Sequence, residues 1–82
     1  MSQEEVATLY SEVVRITYDY LGPAADRFVT RQIRSHLGKS PDELRKGDLK
    51  ELISWIKVAV ALLTDDEKLI KRYISDLRRL TT

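Results

Sequence analysis

The hydrophobic positions of the chain fall into four segments, each with the spacing of one helical face. In the first segment, about residues 3–21, apolar side chains recur three and four positions apart, while Thr8 and Ser11 occupy the opposite side. Ser2 and Glu5 form a capping-box pair at its start, with a side chain at each position suited to bond the other's backbone. The pattern therefore predicts an amphipathic first helix.

Glycine, proline and capping residues divide the rest of the chain into three further helices and one short turn. Gly22-Pro23 ends the first helix and begins the second, because glycine suits a helix end and proline suits a first helical position. Gly38 ends the second helix in the same way. The predicted ranges are about 23–37 for the second helix, about 40–45 for the short turn, about 48–63 for the third helix and about 65–80 for the fourth.

Capping residues support these boundaries. Asp48 with Glu51 is expected to cap the third helix, and Thr64 with Glu67 the fourth. No segment shows the period-two alternation of a half-buried strand. We therefore predict a single helical domain over residues 1–82. It is all-α and compact, four-helix bundle-like, with one short extra helical turn between helices 2 and 3.

Composition narrows the class of protein that this pattern can build. The chain has 82 residues, enough for one core, and 43% hydrophobic residues with 3 Gly and 2 Pro exclude disordered and low-complexity classes. The lack of cysteine excludes a disulfide framework and thiolate zinc sites, and it is typical of a reducing compartment. No apolar run approaches the roughly 20 residues of a membrane span. We therefore expect a cytoplasmic protein with no membrane contact.

The third helix carries more apolar residues than one buried face requires. A first stripe has core spacing and consists of Leu49, Leu52, Ile53, Ile56, Ala59, Val60 and Leu63. A second stripe lies beside it and consists of Trp55, Val58 and Leu62. Either this helix is central in the bundle and buried all round, or the second stripe binds another protein chain, with the tryptophan as an anchor.

The second helix carries two polar residues on its apolar side. Gln32 and His36 lie one turn apart among the residues of the predicted inner arc. A buried polar pair without partners would cost a few kcal/mol, so we expect the two side chains to be hydrogen-bonded to each other or to a tyrosine. This interpretation makes them a structural pair that fixes the register of the helix.

Basic side chains collect on two helix faces, although the net charge is only +1. One face belongs to the second helix and the other to the fourth; the residues concerned are Arg27, Arg31, Arg34, Lys68, Lys71 and Arg72, followed by Arg78 and Arg79. Such faces are usually just solvated, but they could bind an acidic protein surface or phosphate groups. The balanced bulk charge argues against nucleic acid, which is kept only as an alternative partner.

The sequence contains no donor set for a metal or another cofactor, and no catalytic constellation. A single histidine, no cysteine and no carboxylate at ligand spacing on the inner arc of the second helix argue against a metal site. His36-Leu37-Gly38-Lys39 is similar to the segment of histidine phosphotransfer domains in which a lysine follows the histidine by three positions. In this chain the glycine follows at a different position, and His36 is expected to point inward, whereas phosphotransfer needs an accessible imidazole. We therefore predict no enzymatic activity and keep phosphotransfer by His36 as an alternative.

One family resemblance adds to this interpretation. Leu21-Gly22-Pro23-Ala24-Ala25, followed by a basic stretch with Val29, Arg31, Gln32 and Arg34, resembles a small helical module of bacterial signalling proteins. That module is appended, often at the C-terminal end, to regulators such as serine/threonine kinases and nucleotide cyclases. Leu49-Lys50-Glu51-Leu52 and Asp65-Asp66 would match its later elements, so the resemblance covers about residues 20–80. It implies a regulatory or association role without catalytic residues.

Together these features predict a non-enzymatic module of cytoplasmic signalling or regulation. It would act through protein–protein contact, either with another protein or with a second copy as a homodimer. The side chains expected to carry this contact are those of the second stripe of the third helix, because an exposed apolar patch is typical of an interface.

Overall fold

The computed structural model describes residues 8–82, and its first helix, α1, spans Leu9–Leu21. Thr8 has extended backbone, and its Oγ1 accepts a hydrogen bond from the Ser11 N–H at 3.0 Å, which makes it the N-cap. The helix therefore begins later than the predicted start at residue 3. The predicted capping pair of Ser2 and Glu5 lies outside the described residues.

The second helical segment changes its winding along its length. A 3₁₀ turn over Gly22–Ala24 leads into α2, Ala25–Gln32, which continues as a π-helical turn over Ile33–Leu37. Both ends need a positive φ, 64° at Gly22 and 66° at Gly38, and glycine adopts such angles without strain. The two ends of this segment therefore lie where glycine and proline predict them. The π-helical turn was not predicted.

The connector that follows contains two short 3₁₀ turns, Pro41–Glu43 and Lys46–Asp48, where one short turn was predicted. A carboxylate closes each turn. Glu43 accepts the Ser40 N–H at 2.9 Å, and Asp48 accepts the Arg45 N–H at 3.0 Å. Asp48 therefore caps the preceding turn and not the third helix, which corrects the predicted role of Asp48.

The last two helices are α3, Leu49–Ala61, and α4, Glu67–Arg78, the latter followed by a 3₁₀ turn over Arg79–Thr81. The N-cap of α4 is Asp66, which accepts the Leu69 N–H at 3.1 Å. Thr64 instead accepts the Asp66 N–H at 3.1 Å, so it orders the loop before the cap. The predicted capping role of Thr64 is therefore wrong.

The core is a single cluster, and α3 supplies more of it than any other helix. The buried apolar side chains of this cluster are Val13, Val29, Ile33, Leu44, Leu49, Leu52, Ile53, Ile56, Val60, Tyr73, Ile74 and Leu77. They come from all four helices, from the π-helical turn and from the connector. One side of α3 therefore faces a core to which all four helices contribute.

The all-α prediction is confirmed, since 84% of the described residues are helical and residues 8–82 include no strand. The finer prediction of a four-helix bundle is not confirmed. Three helices have 12 or 13 residues, but the α-helical part of the second has only 8. Within the described residues, none of the helices combines the length and apolar content needed to cross a bilayer.

Candidate functional site

The third helix presents three different sides to its surroundings. Its core side carries Leu49, Leu52, Ile53, Ile56 and Val60, which are all buried. A second side carries Trp55, Val58 and Leu62, and a third carries Lys50, Ser54 and Lys57. Because residues three and four positions apart share a helix face, the second and third sets are separate surfaces. Both are candidate sites.

The second stripe of α3 is exposed. We call Trp55, Val58 and Leu62 the apolar patch; their exposed fractions are 38%, 57% and 84%. The alternative in which neighbouring helices bury all of α3 is therefore wrong, because all three side chains are in contact with solvent. Three large apolar side chains at adjacent turns in contact with solvent are typical of a protein interface.

Leu63 belongs to the same solvent-exposed region, with 62% of its surface accessible. The predicted core stripe included this residue, and that assignment is wrong. The reason is that α3 ends at Ala61, so the chain leaves the helical spiral before the position at which the side chain would point inward. Ala59, also in the predicted stripe, is only half-buried.

Trp55 contacts His36 at the edge of the patch. The two rings are stacked, with centroids 3.9 Å apart and planes inclined by 3°. His36 is exposed and forms this stack, while Gln32 is buried. The predicted hydrogen-bonded pair of Gln32 and His36 is therefore not formed.

The π-helical turn explains where His36 lies. In an i→i+5 turn there are more residues per turn than in an α-helix, so each side chain after Ile33 is rotated away from its α-helical direction. The α-helical spacing used for the prediction placed His36 inward. In the structure the smaller rotation per residue of the π-helical turn places it at the outer edge, beside Trp55.

Gln32 occupies the core with one polar atom unmatched. Only 6% of its surface is exposed, and its Oε1 has no hydrogen-bond donor among the described residues. Such an oxygen loses its water partners on burial without a replacement, which costs about 1–3 kcal/mol. The residue thus sits on the predicted arc, but it is not the satisfied structural polar group that was expected.

The two predicted basic faces are exposed. On the second segment they comprise Arg27, Arg31 and Arg34, and on α4 they comprise Lys68, Lys71 and Arg72, with Arg78 and Arg79 further along. Two of these residues, Lys71 and Arg78, face a groove between α4 and α3. The other cations do not line it.

This groove joins residues that the sequence did not bring together. Its walls carry Lys50 and Lys57 from α3 and Lys71 and Arg78 from α4, and we call it the basic groove. Lys50 and Lys57 were not singled out before, although their spacing of seven places them on one helix face. Their alignment with two cations of another helix depends on how the helices pack.

The titratable groups with shifted pKa values lie away from both surfaces. Burial and a hydrogen bond to Asp76 raise the pKa of Tyr20 to about 12, and burial raises the pKa of Tyr73 to about 12. A hydrogen bond from Lys39 lowers the pKa of Asp48 below its usual value. Within residues 8–82, no three of the His, Cys, Asp and Glu side chains come together as a metal site would require.

Comparison with known proteins adds no further identification. No family model, no curated protein and no solved structure matches this chain. The resemblance over about residues 20–80 to a module of bacterial signalling proteins remains a prediction. The function must therefore be argued from the apolar patch and the basic groove themselves.

Proposed function

We propose that this protein is a non-enzymatic, four-helix bundle-like module of cytoplasmic signalling or regulation that self-associates through its apolar patch. One observation carries the proposal: Trp55, Val58 and Leu62 lie on one side of α3 and are all exposed. A second copy of the chain is the partner, because it offers an identical patch. Two-fold pairing of like surfaces is the commonest form of association among soluble oligomers.

The energetics of the patch fit a reversible dimer. Full burial of such side chains contributes about 1.5–3 kcal/mol each before association costs. Val58 and Leu62 supply most of the gain, since they are more exposed than Trp55. Two-fold pairing buries the set from both protomers, so we expect association in the micromolar range.

The charges next to the patch favour a protein partner over a lipid surface. One residue after Leu63 the chain becomes acidic, with Asp65 and Asp66 before α4 and Glu67 in its first turn. These carboxylates repel the anionic headgroups to which a peripheral membrane protein would bind. A protein surface, in contrast, accommodates an acidic rim around an apolar centre.

The test is the oligomeric state of charge-introducing variants. Val58→Glu and Leu62→Glu should keep the helical circular dichroism spectrum of the wild type and sediment as monomers, while the wild type sediments as a dimer at high concentration. Tyr18→Glu is the matched control, because Tyr18 is 55% exposed on α1, nearly the same as Val58 at 57%. It should remain dimeric. Trp55→Glu is a less specific test of the interface, since it also removes the stacking of Trp55 on His36.

Two results would contradict self-association. A wild type that sediments as a monomer at high concentration would exclude it. A dimer that persists in both Val58→Glu and Leu62→Glu would place the interface elsewhere on the molecule.

Phosphotransfer by His36 is the second candidate, and the exposure of this side chain supports it. Stacking on Trp55 covers a ring face, whereas phosphoryl transfer takes place at a ring nitrogen, in the plane of the ring. Incubation with acetyl phosphate should then give an acid-labile phosphate that His36→Gln abolishes. If the wild type acquires no such label, this candidate is excluded.

A further inference from the structure

The basic groove lies between the antiparallel helices α3 and α4, on a different side of α3 from the apolar patch. It consists of two adjoining hollows of about 650 and 370 Å³ that share Lys57 and Arg78. The larger hollow reaches Lys50 and the smaller one reaches Lys71. The two hollows therefore adjoin each other between the two helices, and both are open to solvent.

Its cations form two parallel rows. Lys50 and Lys57 are seven residues apart on α3, and Lys71 and Arg78 are seven residues apart on α4. At a rise of 1.5 Å per residue, each pair spans about 10 Å along its helix. Within residues 8–82 none of these four cations is in an ion pair, and Glu51 is the one carboxylate on the described walls.

The floor between the two rows is apolar. It is formed by Ile53, Ile70 and Ile74, of which Ile70 is only half-buried, and Ser54 and Ser75 lie on the walls. A phosphate is best bound by donors that converge on one point. Here the cations are spread along two lines with apolar surface between them, which is a different arrangement.

We propose that the basic groove binds an acidic amphipathic helix of a partner protein. Apolar side chains of that helix contact the isoleucine floor, and carboxylates on both of its flanks pair with the two cation rows. This is the helix-in-groove mode of recognition, with charge complementarity selecting the partner. Each row spans about two helical turns, so about two turns of the partner are engaged.

A second copy of this chain does not provide such a helix within the described residues. Its carboxylates cluster in first turns, such as Asp65, Asp66 and Glu67 before and at the start of α4, and do not follow both flanks of an apolar stripe. On α1, Arg15 lies between Glu12 and Asp19 and breaks the acidic flank. Because residues 8–82 provide no such helix, the proposed partner is a different protein.

The test uses a panel of labelled synthetic peptides about 15 residues long, long enough to form a helix on binding. Each carries leucines at helical spacing with glutamates on both flanks, and the comparison peptides have the same composition in scrambled order. Fluorescence anisotropy should show micromolar binding for at least one ordered peptide. Its scrambled version should bind at least about tenfold more weakly. Amide chemical shifts should change at Ser54, Lys57 and Ser75.

Variants locate the site and separate it from the self-association surface. Lys57→Glu and Arg78→Glu should each weaken binding about tenfold, which is about 1.4 kcal/mol, and the neutral Lys57→Gln and Arg78→Gln should do so less. Arg31→Glu, the same change of charge on α2, should have no effect. Val58→Glu should still bind the peptide, so that loss of the dimer and loss of peptide binding can be told apart.

Three results would overturn the proposal. The first is that no ordered peptide of the panel shows saturable binding. The second is that ordered and scrambled peptides bind equally. The third is that single-stranded oligonucleotides, or vesicles of phosphatidylserine and phosphatidylcholine, bind more tightly than the peptides and lose that binding in Lys57→Glu, which would assign the groove to phosphate groups.

Discussion

At the scale of single residues, Gln32 fits its surroundings least well. It lies in the core of a helical domain, and its Oε1 receives no hydrogen bond from the described part of the chain. A buried amide of this kind is retained at a cost to stability. Its replacement by an apolar side chain of similar size should therefore help the fold.

We expect Gln32→Met to raise the free energy of unfolding by about 1 kcal/mol, because methionine fills the same space without a polar atom to desolvate. Urea unfolding followed by circular dichroism measures this change. Gln32→Glu is the control and should lower the free energy of unfolding by at least about 2 kcal/mol, since it buries a charge. A loss of more than about 1 kcal/mol in Gln32→Met would mean that the amide has a hydrogen-bond partner after all.

Single residues also show which positions the hydrophobic pattern predicts correctly and which it does not. It placed Gln32 on the buried side of its helix and set Trp55 apart from the core stripe, and both positions agree with the structure. It misplaced His36 because helical spacing assumes α-helical winding, whereas Ile33–Leu37 is π-helical. It misplaced Leu63 because hydrophobicity alone does not show that α3 ends at Ala61.

At the scale of elements, Asp48 holds the two ends of the connector before α3 together. Its carboxylate accepts hydrogen bonds from the Arg45 N–H at 3.0 Å and from Lys39 Nζ at 2.8 Å. Lys39 follows Gly38, where the second helical segment ends. One side chain therefore joins the residue after the end of that segment to the second 3₁₀ turn, directly before α3 begins at Leu49.

This arrangement predicts a loss of stability in acid. Because the folded state lowers the pKa of Asp48, its contribution is present above the unfolded pKa of about 3.9 and is lost as the pH falls through the folded pKa. Asp48→Asn should cost about 1–2 kcal/mol at pH 7 and less below pH 3. Asp42→Asn, in the same connector but exposed, is the control and should show no such pH dependence. An equal cost for Asp48→Asn at both pH values would contradict this role.

The elements were largely predictable, but the basic groove was not. Proline, glycine and caps mark helix ends locally, so the order of helices follows from the sequence. The groove requires Lys50 and Lys57 of one helix to lie beside Lys71 and Arg78 of another. Each pair read by itself is typical of a solvated helix face, and only the packing of α3 on α4 makes them one surface.

At the scale of the whole molecule, the buried Tyr73 and the half-buried Tyr20 join the first helix to the last. Thr17 Oγ1 donates to the Val13 carbonyl at 2.7 Å, so the Tyr73 hydroxyl, 2.6 Å away, is the donor to Thr17. Tyr20 lies beside it, with its ring centroid 5.0 Å from that of Tyr73, and its hydroxyl donates to Asp76. These contacts hold α1 against α4.

These tyrosines should make the fold sensitive to alkali. Folding raises the pKa of Tyr20 and of Tyr73 from about 10 to about 12, so the stability they contribute is complete below pH 10 and is lost as the pH rises towards 12. The free energy of unfolding should fall by up to about 1.4 kcal/mol per pH unit for each group in this range. Denaturant unfolding at several pH values measures the slope.

Variants show which tyrosine causes the fall in the free energy of unfolding above pH 10. Tyr73→Phe and Tyr20→Phe should each reduce it, whereas Tyr18→Phe, at an exposed position of α1, should leave it unchanged. If the pH dependence of the free energy of unfolding is the same in Tyr73→Phe, ionisation of the Tyr73 hydroxyl does not cause the loss of stability in alkali.

The junction of α1 with α4 has a consequence for how the chain folds during its synthesis. Thr17 and Tyr73 are separated by 56 positions, as are Tyr20 and Asp76. A ribosome releases the amino end first, so α1 emerges long before the residues that cover its inner side. The helix cannot complete its packing until Tyr73 has left the exit tunnel, and a nascent chain arrested before that point should remain open to proteolysis at α1.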